Sequence, residues 1–238
     1  MPDNLAVLVS TLLHGLPATV AATLGGIGLT IVLSFAAGLA LLSPLRGLRV
    51  ISRGYVEGFR GTSEVVQLFF IYFSLPLLIG FQLVPLWAGV LVLGLNHGAY
   101  GAEIVRGAVQ SVPRAQYEGA VALSLTPAQR MRRVILPQAV LEMIPPFNNL
   151  FIQLLKSSSL LSLITLAELT WQAQDVLVPL YTHQAFTIFS LVLVLYLLLA
   201  LTITGVMRLL ERRAGRMLGR RRPARSRTDA LVSTVGVG

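Results

Sequence analysis

The sequence predicts an all-α polytopic membrane protein with about five transmembrane helices, the N-terminus outside and the C-terminus inside, and one folded cytoplasmic element. Three observations predict it. Of 238 residues 55% are apolar and only 12% charged, at a mean hydropathy of +0.75, an alphabet that cannot cover a water-facing surface. Residues 4–45, 65–102 and 176–207 contain no Asp, Glu, Lys or Arg, and each run exceeds the roughly 20 residues that cross a bilayer core. All 18 arginines fall into three clusters: Arg46 to Arg60, Arg106 to Arg133, and nine from Arg208 to Arg227. By the positive-inside rule those clusters are cytoplasmic.

A first span is expected from about Leu16 to Leu42, delivering the chain to the first arginine cluster and leaving residues 1–15 as an external N-terminus. Met1 to His14 carries no Lys or Arg, so the basic start of a cleaved secretory signal is missing and the N-terminus is expected to be mature. A second span should rise from around Arg60 to Ile79, turn at Gly80, Phe81 and Gln82, and return as a third from Pro85 to about Ile104. The fourth, 134–155, holds Glu142, Pro145, Pro146, Asn148, Asn149 and Gln153; charges and amides facing lipid would each cost a few kcal/mol, so it must be buried against other helices. Residues 157–183 read as external and partly re-entrant, and the fifth span as Ala185 to Met207. The membrane domain is thus 16–211, followed by a disordered basic cytoplasmic tail, 212–238, rich in Arg, Ser, Thr and Gly. No internal repeat argues for an inverted two-fold architecture.

The connector 106–137 is too long and too varied for a linker. Pro113 and Pro127 bracket Arg114 to Thr126, with Pro113 suited to start a helix and Pro127 to stop it. Tyr117, Ala120, Val121, Ser124 and Leu125 share one face of that helix, and Glu118 points to the cytoplasm. An interfacial helix resting on lipid headgroups is the plain reading of such a segment.

Glu118-Gly119-Ala120, then Ser124, then Ile135-Leu136-Pro137 resembles the EAA loop of ABC importer permeases, E-A-A, three residues, Gly, about nine residues, then I-x-L-P. Phe59-Arg60-Gly61-Thr62, Gln67, Ala99-Tyr100, Glu103, Arg106-Gly107, Lys156, Ser159-Leu160 and Glu168-Leu169 follow the order of polar amino-acid permeases. The resemblance covers about residues 16–207. Two departures stand out: Gly119 replaces the family alanine, and Ser124 replaces the glycine usually assigned to a tight turn. A serine there is expected either to keep right-handed helical geometry or to displace the turn toward Pro127. The E-G-x-x-A-L-S variant, Val84-Pro85-Leu86-Trp87, His97-Gly98-Ala99-Tyr100-Gly101 and Glu142-Met143-Ile144-Pro145-Pro146-Phe147 further resemble ectoine and hydroxyectoine uptake permeases.

The resemblance implies a multi-pass subunit of the bacterial cytoplasmic membrane working with a separate ABC ATPase dimer, a second permease chain in a homo- or heterodimer, and an extracytoplasmic solute-binding protein. ATP and Mg would sit on the ATPase. The chain itself is expected to hold no cofactor and to be no enzyme, since its only lysine, Lys156, follows Leu154-Leu155 and no Walker A pattern exists. ATPase coupling would fall to Glu118, Gly119, Ala120, Leu123, Ser124 and Pro137, with Glu118 pairing to a basic partner and Ala120 and Leu123 packing; residues 157–183 are the candidate docking surface for the binding protein.

For the solute path the polar residues of the spans are the candidates: Asn96, Glu142, Asn148, Asn149, Gln153 and Lys156. Opposite charges and amides on one path suit a zwitterion. Interhelical hydrogen bonding explains the amides equally well, Lys156 can snorkel to the interface, and Glu103, three residues before Arg106, is expected to form a structural ion pair. His97 has no second ligand at helical spacing and reads as a packed histidine; with no cysteine and no H-E-x-x-H, no metal site is expected. The basic tail lacks interleaved aromatics, so anionic lipid rather than nucleic acid is its expected partner. The rival function is an ion-gradient-driven secondary transporter in which Glu103, Glu142 and Lys156 couple to the gradient.

Overall fold

The computed structural model describes residues 2–217, and every regular element among them is helical. Helix α1 is Pro2–Leu41, α2 Arg46–Arg60, α3 residues 64–79, α4 Pro85–Ser111, α5 Arg114–Ala122, α6 Pro127–Ile164, α7 Leu169–Leu180 and α8 Ala185–Met217.

By length and composition α1 and the segment Thr182–Arg216 qualify as membrane spans, and two bent pairs, α2 with α3 and α6 with α7, bring the number to four. Helix α4 is more polar, because glycine, Asn96 and His97 are packed inside it, yet its 27 residues reach about 40 Å at 1.5 Å per residue. The apolar faces of α8, including Leu193, Leu197 and Leu201, are exposed, as expected of a lipid-facing helix.

Helix α1 begins at Pro2, so the segment before Leu16 is a continuation of the first helix, with Leu8 and Leu12 buried against Leu169, Leu177 and Ile188. It lies along α4 through small residues: a Cβ on Gly38 would come within 2.7 Å of the Ala102 carbonyl, and Ser34 donates to the Gly98 carbonyl at 3.4 Å. Close backbone approach at small residues is the usual packing mode of membrane helices. Two layers fill the interior, one of α4, α6 and α8 around Val105, Met143 and Met207, the other of α1, α3, α4 and α6 around Ala22, Leu68, Leu93 and Leu154.

The second span, expected from around Arg60, is α3, which begins at Glu64 after a bend. The chain turns by 104° between α2 and α3, and α2 rises beside α4 until its end lies level with that helix's middle: Tyr55 donates to the Leu95 carbonyl at 2.7 Å and Asn96 to the Phe59 carbonyl at 3.3 Å. Gly61-Thr62-Ser63 forms the bend, pinned by Gln67 Nε2, which donates to Thr62 Oγ1 at 2.7 Å and to the Phe59 carbonyl at 2.9 Å. The turn foreseen at Gly80 is present, with φ of 69°. Segment 157–183 is more compact than a loop: a 3-10 turn, Ser158–Ile164, and α7 are tucked in through Leu161, Ile164, Ala173 and Leu177. Helix α8 runs on to Met217, so the part of the expected tail before residue 218 is helical; the remainder lies outside the described residues.

Six prolines stand inside helices without ending them: Pro17, Pro145 and Pro146 lie within regular α-turns, and three lie beside widened turns. Each of these three follows a π-turn by two residues: Phe70–Ser74 precedes Pro76, Met131–Ile135 precedes Pro137, and Gln172–Leu177 precedes Pro179. A mid-helix proline removes an N–H and its ring presses on the carbonyl four residues back; widening the turn to an i to i−5 bond, as from Leu75 to Phe70 and from Leu136 to Met131, makes the room.

Candidate functional site

The 106–137 connector folds as the short helix α5, which ends earlier than Thr126 and not at Pro127. The Leu125 N–H bonds the Ala120 carbonyl at 3.1 Å and the Ser124 N–H bonds the Val121 carbonyl at 2.8 Å, a Schellman closure. Its left-handed position is Ser124, φ 56°. Neither of the two geometries expected for this serine holds: the turn stays in place, and the serine adopts the conformation that glycine would take without strain. Pro127 instead opens α6, at whose start Thr126 and Gln129 form a reciprocal capping box, Thr126 Oγ1 accepting from the Gln129 N–H at 3.3 Å and Gln129 Oε1 from the Thr126 N–H at 3.0 Å.

Helix α5 is fastened to both neighbours. Tyr117 donates to the Val109 carbonyl near the end of α4 at 3.0 Å, and Gln138 of α6 donates to Gln116 Oε1 at 3.2 Å. Ala120 is buried in its own chain, 3% exposed, so it is not free to pack on a partner as its place in the motif suggested. The exposed surface of α5 and its cap includes Arg114, Gln116, Glu118, Gly119, Val121 and the cap residue Leu123, the last 76% exposed. Glu118 makes no ion pair among the described residues. Pro137 is the proline that the second π-turn accommodates.

Of the six candidate path residues, the structure groups two. Asn149 and Gln153, one turn apart on α6, line a groove of about 420 Å³ together with Arg60, Tyr100, Glu103 and Pro146. The Arg60 guanidinium lies 5.1 Å from the centroid of the Tyr100 ring. A second recess of about 360 Å³ shares Arg60 and Glu103 and runs past Arg53, Glu57 and Arg106 toward Gln110. The Glu103 ion pair is as expected: Glu103 Oε2 accepts from Arg106 Nε at 2.9 Å and from Nη2 at 2.6 Å. Asn96 is buried elsewhere, donating to Gln67 Oε1 at 3.0 Å. Asn148 is half-buried with its Oδ1 unpartnered, and Glu142 and Lys156 are exposed.

His97 is packed, 1% exposed, its Nδ1–H donating to the Leu93 carbonyl at 3.1 Å. Beside it stands a carboxylate that the sequence reading did not single out. Glu64 Oε2 accepts from Ser157 at 2.9 Å, and Glu64 Oε1 lies 3.5 Å from His97 Nδ1, tying α3, α4 and α6. Glu168, noted only as part of a motif, is wholly buried and accepts from the Trp171 N–H at 2.8 Å, from Tyr196 at 2.9 Å and from Thr19 at 3.4 Å. The signal for both was acidic residues at the first turn of a helix next to an apolar run.

Residues 30–216 match the family described as binding-protein-dependent transport system inner membrane component. A probable amino-acid ABC transporter permease protein of Sinorhizobium fredii is 46% identical over 196 residues, 80% of this chain and 82% of the relative. The glutamine transport system permease protein of Escherichia coli is 41% identical over 160 residues, 67% of this chain and 72% of its own. Among solved structures, an amino acid ABC transporter with histidines superposes with a TM-score of 0.80 at 32% identity, covering 88% of this chain and 97% of that one.

Proposed function

The chain belongs to the family of binding-protein-dependent transport system inner membrane components, and from that membership we propose that it is the permease subunit of an ATP-driven importer of a small zwitterionic solute of the amino-acid class. The observation that carries the reading is α5: a helix bonded to α4 through Tyr117 and to α6 through Gln116, with an exposed Glu118 that makes no ion pair among the described residues and an exposed Leu123 at its cap. Such a helix can seat on a partner and turn the partner's motion into relative movement of two membrane helices. With no P-loop in the sequence, that partner is an ABC ATPase dimer carrying ATP and Mg in the cytoplasm of a bacterial cell, beneath its inner membrane. A second permease chain completes the path, and a solute-binding protein docks on the outer face at 157–183.

Relatives with printed substrates carry glutamine, L-cystine, octopine or arginine; the motif variant at 118–124 and its companions at 84–87, 97–101 and 142–147 favour ectoine or hydroxyectoine, which like those solutes pair a carboxylate with a cation. An ion-gradient mechanism finds less support, since Glu103 is engaged by Arg106.

The test is reconstitution in liposomes with the ATPase, companion permease and binding protein, comparing uptake of labelled ectoine, glutamine and arginine. ATP-dependent uptake without an ion gradient is expected, and the preferred solute identifies the substrate. Uptake that follows a proton or sodium gradient and ignores ATP would overturn the importer.

A further inference from the structure

Arg60 is an exposed cation beside the middle of a helix of membrane-spanning length. The end of α2 lies beside Leu95 and Asn96, near the middle of α4, well away from both ends of that membrane-length helix. A charge at such depth costs several kcal/mol unless it faces water or a partner. Arg60 has no acidic partner: the ion pairs among the described residues use Arg53, His97 and Arg106, and Glu103, the acid nearest to hand in the groove, is held by two bonds from Arg106. What holds Arg60 is the face of Tyr100, a contact that orients the guanidinium plane and leaves its donors unused.

Across the groove stand Asn149 and Gln153, both exposed and without a hydrogen bond among the described residues. Below Arg60 the recess lined by Glu57, Arg106 and Gln110 continues to the inner end of α4. A guanidinium held against an aromatic ring and two amides lining the same groove are the donor types that a planar carboxylate takes, and a groove of about 420 Å³ is of the size class that holds small ligands.

Resting on the importer reading above, we propose that Arg60, assisted by Asn149 and Gln153, is a station for the carboxylate of the translocated solute on the inner half of its path. Tyr100 positions Arg60, and the Glu103–Arg106 pair keeps the neighbouring acid from quenching it.

The complete transporter in liposomes tests this with labelled ectoine, glutamine and arginine as probes. If the parent complex shows no ATP-driven uptake, the importer reading fails before any variant is compared. Given uptake, Arg60→Gln is expected to lower solute moved per ATP hydrolysed at least tenfold, with Arg60→Lys between the two. A ratio within twofold of the parent, or a parallel fall in uptake and ATPase that leaves it unchanged, overturns the station. A second measurement does not depend on Arg60 variants folding. The chain contains no cysteine, so Gln153→Cys reports on the groove alone when treated with a negatively charged methanethiosulfonate. Modification that saturating solute slows at least fivefold supports the station; modification at the same rate with and without solute, or none because the second permease chain seals the groove, overturns it.

Discussion

The Tyr196 hydroxyl of α8 donates to Glu168 Oε2 at 2.9 Å, joining a helix that faces lipid to a carboxylate with no exposed surface. The same carboxylate accepts from the Trp171 N–H and from Thr19 of α1, so one side chain fastens three helices. A hydrogen bond contributes about 0.5–1.5 kcal/mol net, and leaving a buried acceptor short of its donor costs about 1–3 kcal/mol. Tyr196→Phe should therefore destabilise the protein by about 2 kcal/mol, read as a lower melting temperature in detergent or nanodiscs. An unchanged melting temperature would mean that water replaces the phenol.

The same junction sets a demand on α1. A Cβ at Gly15 would stand 2.6 Å from the Glu168 carbonyl carbon and 2.8 Å from the Leu169 nitrogen, and backbone cannot move aside as a flexible side chain can. Gly15→Ala is expected to cost about 1–3 kcal/mol, the range for forced overpacking. Gly119→Ala is the control. A Cβ there meets nothing within 4 Å, and alanine is the better helix former by about 0.5–1 kcal/mol, so thermal unfolding should show the first variant less stable and the second equal to or above the parent.

Much of this architecture was legible in the residues, and the misses have physical causes. Charge-free runs and arginine clusters located α1, α3, α4 and α8, because bilayer insertion penalises charge strongly enough to leave a record in composition, while α6, which holds Glu142, followed from the cluster that ends at Arg133. A proline misled where local context overrode the rule: Pro127 was read as a stop but opens α6. Arg60 was assigned to the membrane surface since nothing in sequence says that α2 climbs beside α4. Asn149 and Gln153 were separable from Asn96 only by seeing which amide already has a partner. Glu103 was read correctly because an i, i+3 pair is local.

Ser124 concentrates the strain of the coupling loop. A residue with a Cβ in the left-handed region costs roughly 1–2 kcal/mol, whereas glycine there loses only about 0.5–1 kcal/mol of unfolded-state freedom. Ser124→Gly should accordingly raise stability by about 0.5–1 kcal/mol and leave ATP-driven uptake at or above the parent rate. A β-branched side chain is far less compatible with φ of 56°. Ser124→Val should uncouple the transporter, lowering uptake per ATP severalfold in reconstituted vesicles. If the valine variant transports normally, the Schellman closure is not needed for coupling and α5 tolerates another ending.

Glu118 tests whether α5 docks at all. Its carboxylate is exposed and has no ion-pair partner within the described residues, so reversing its charge breaks no ion pair inside the chain, and the like-charge neighbour it acquires in Arg114, one turn before it, costs only about 0.2–0.5 kcal/mol. Glu118→Lys should insert and fold as the parent does, with an unchanged melting temperature for the isolated permease. Assembled with its ATPase, it would set a cation against the basic residue expected to receive Glu118, where like charges in close contact cost several kcal/mol of complementarity. ATP-dependent uptake should then be abolished, and co-purification of the ATPase weakened more at low salt than at high salt, since screening relieves repulsion between exposed charges. A Glu118→Lys transporter that retains normal vesicle uptake would show that the exposed apolar face of Val121 and Leu123, rather than the carboxylate, carries the contact.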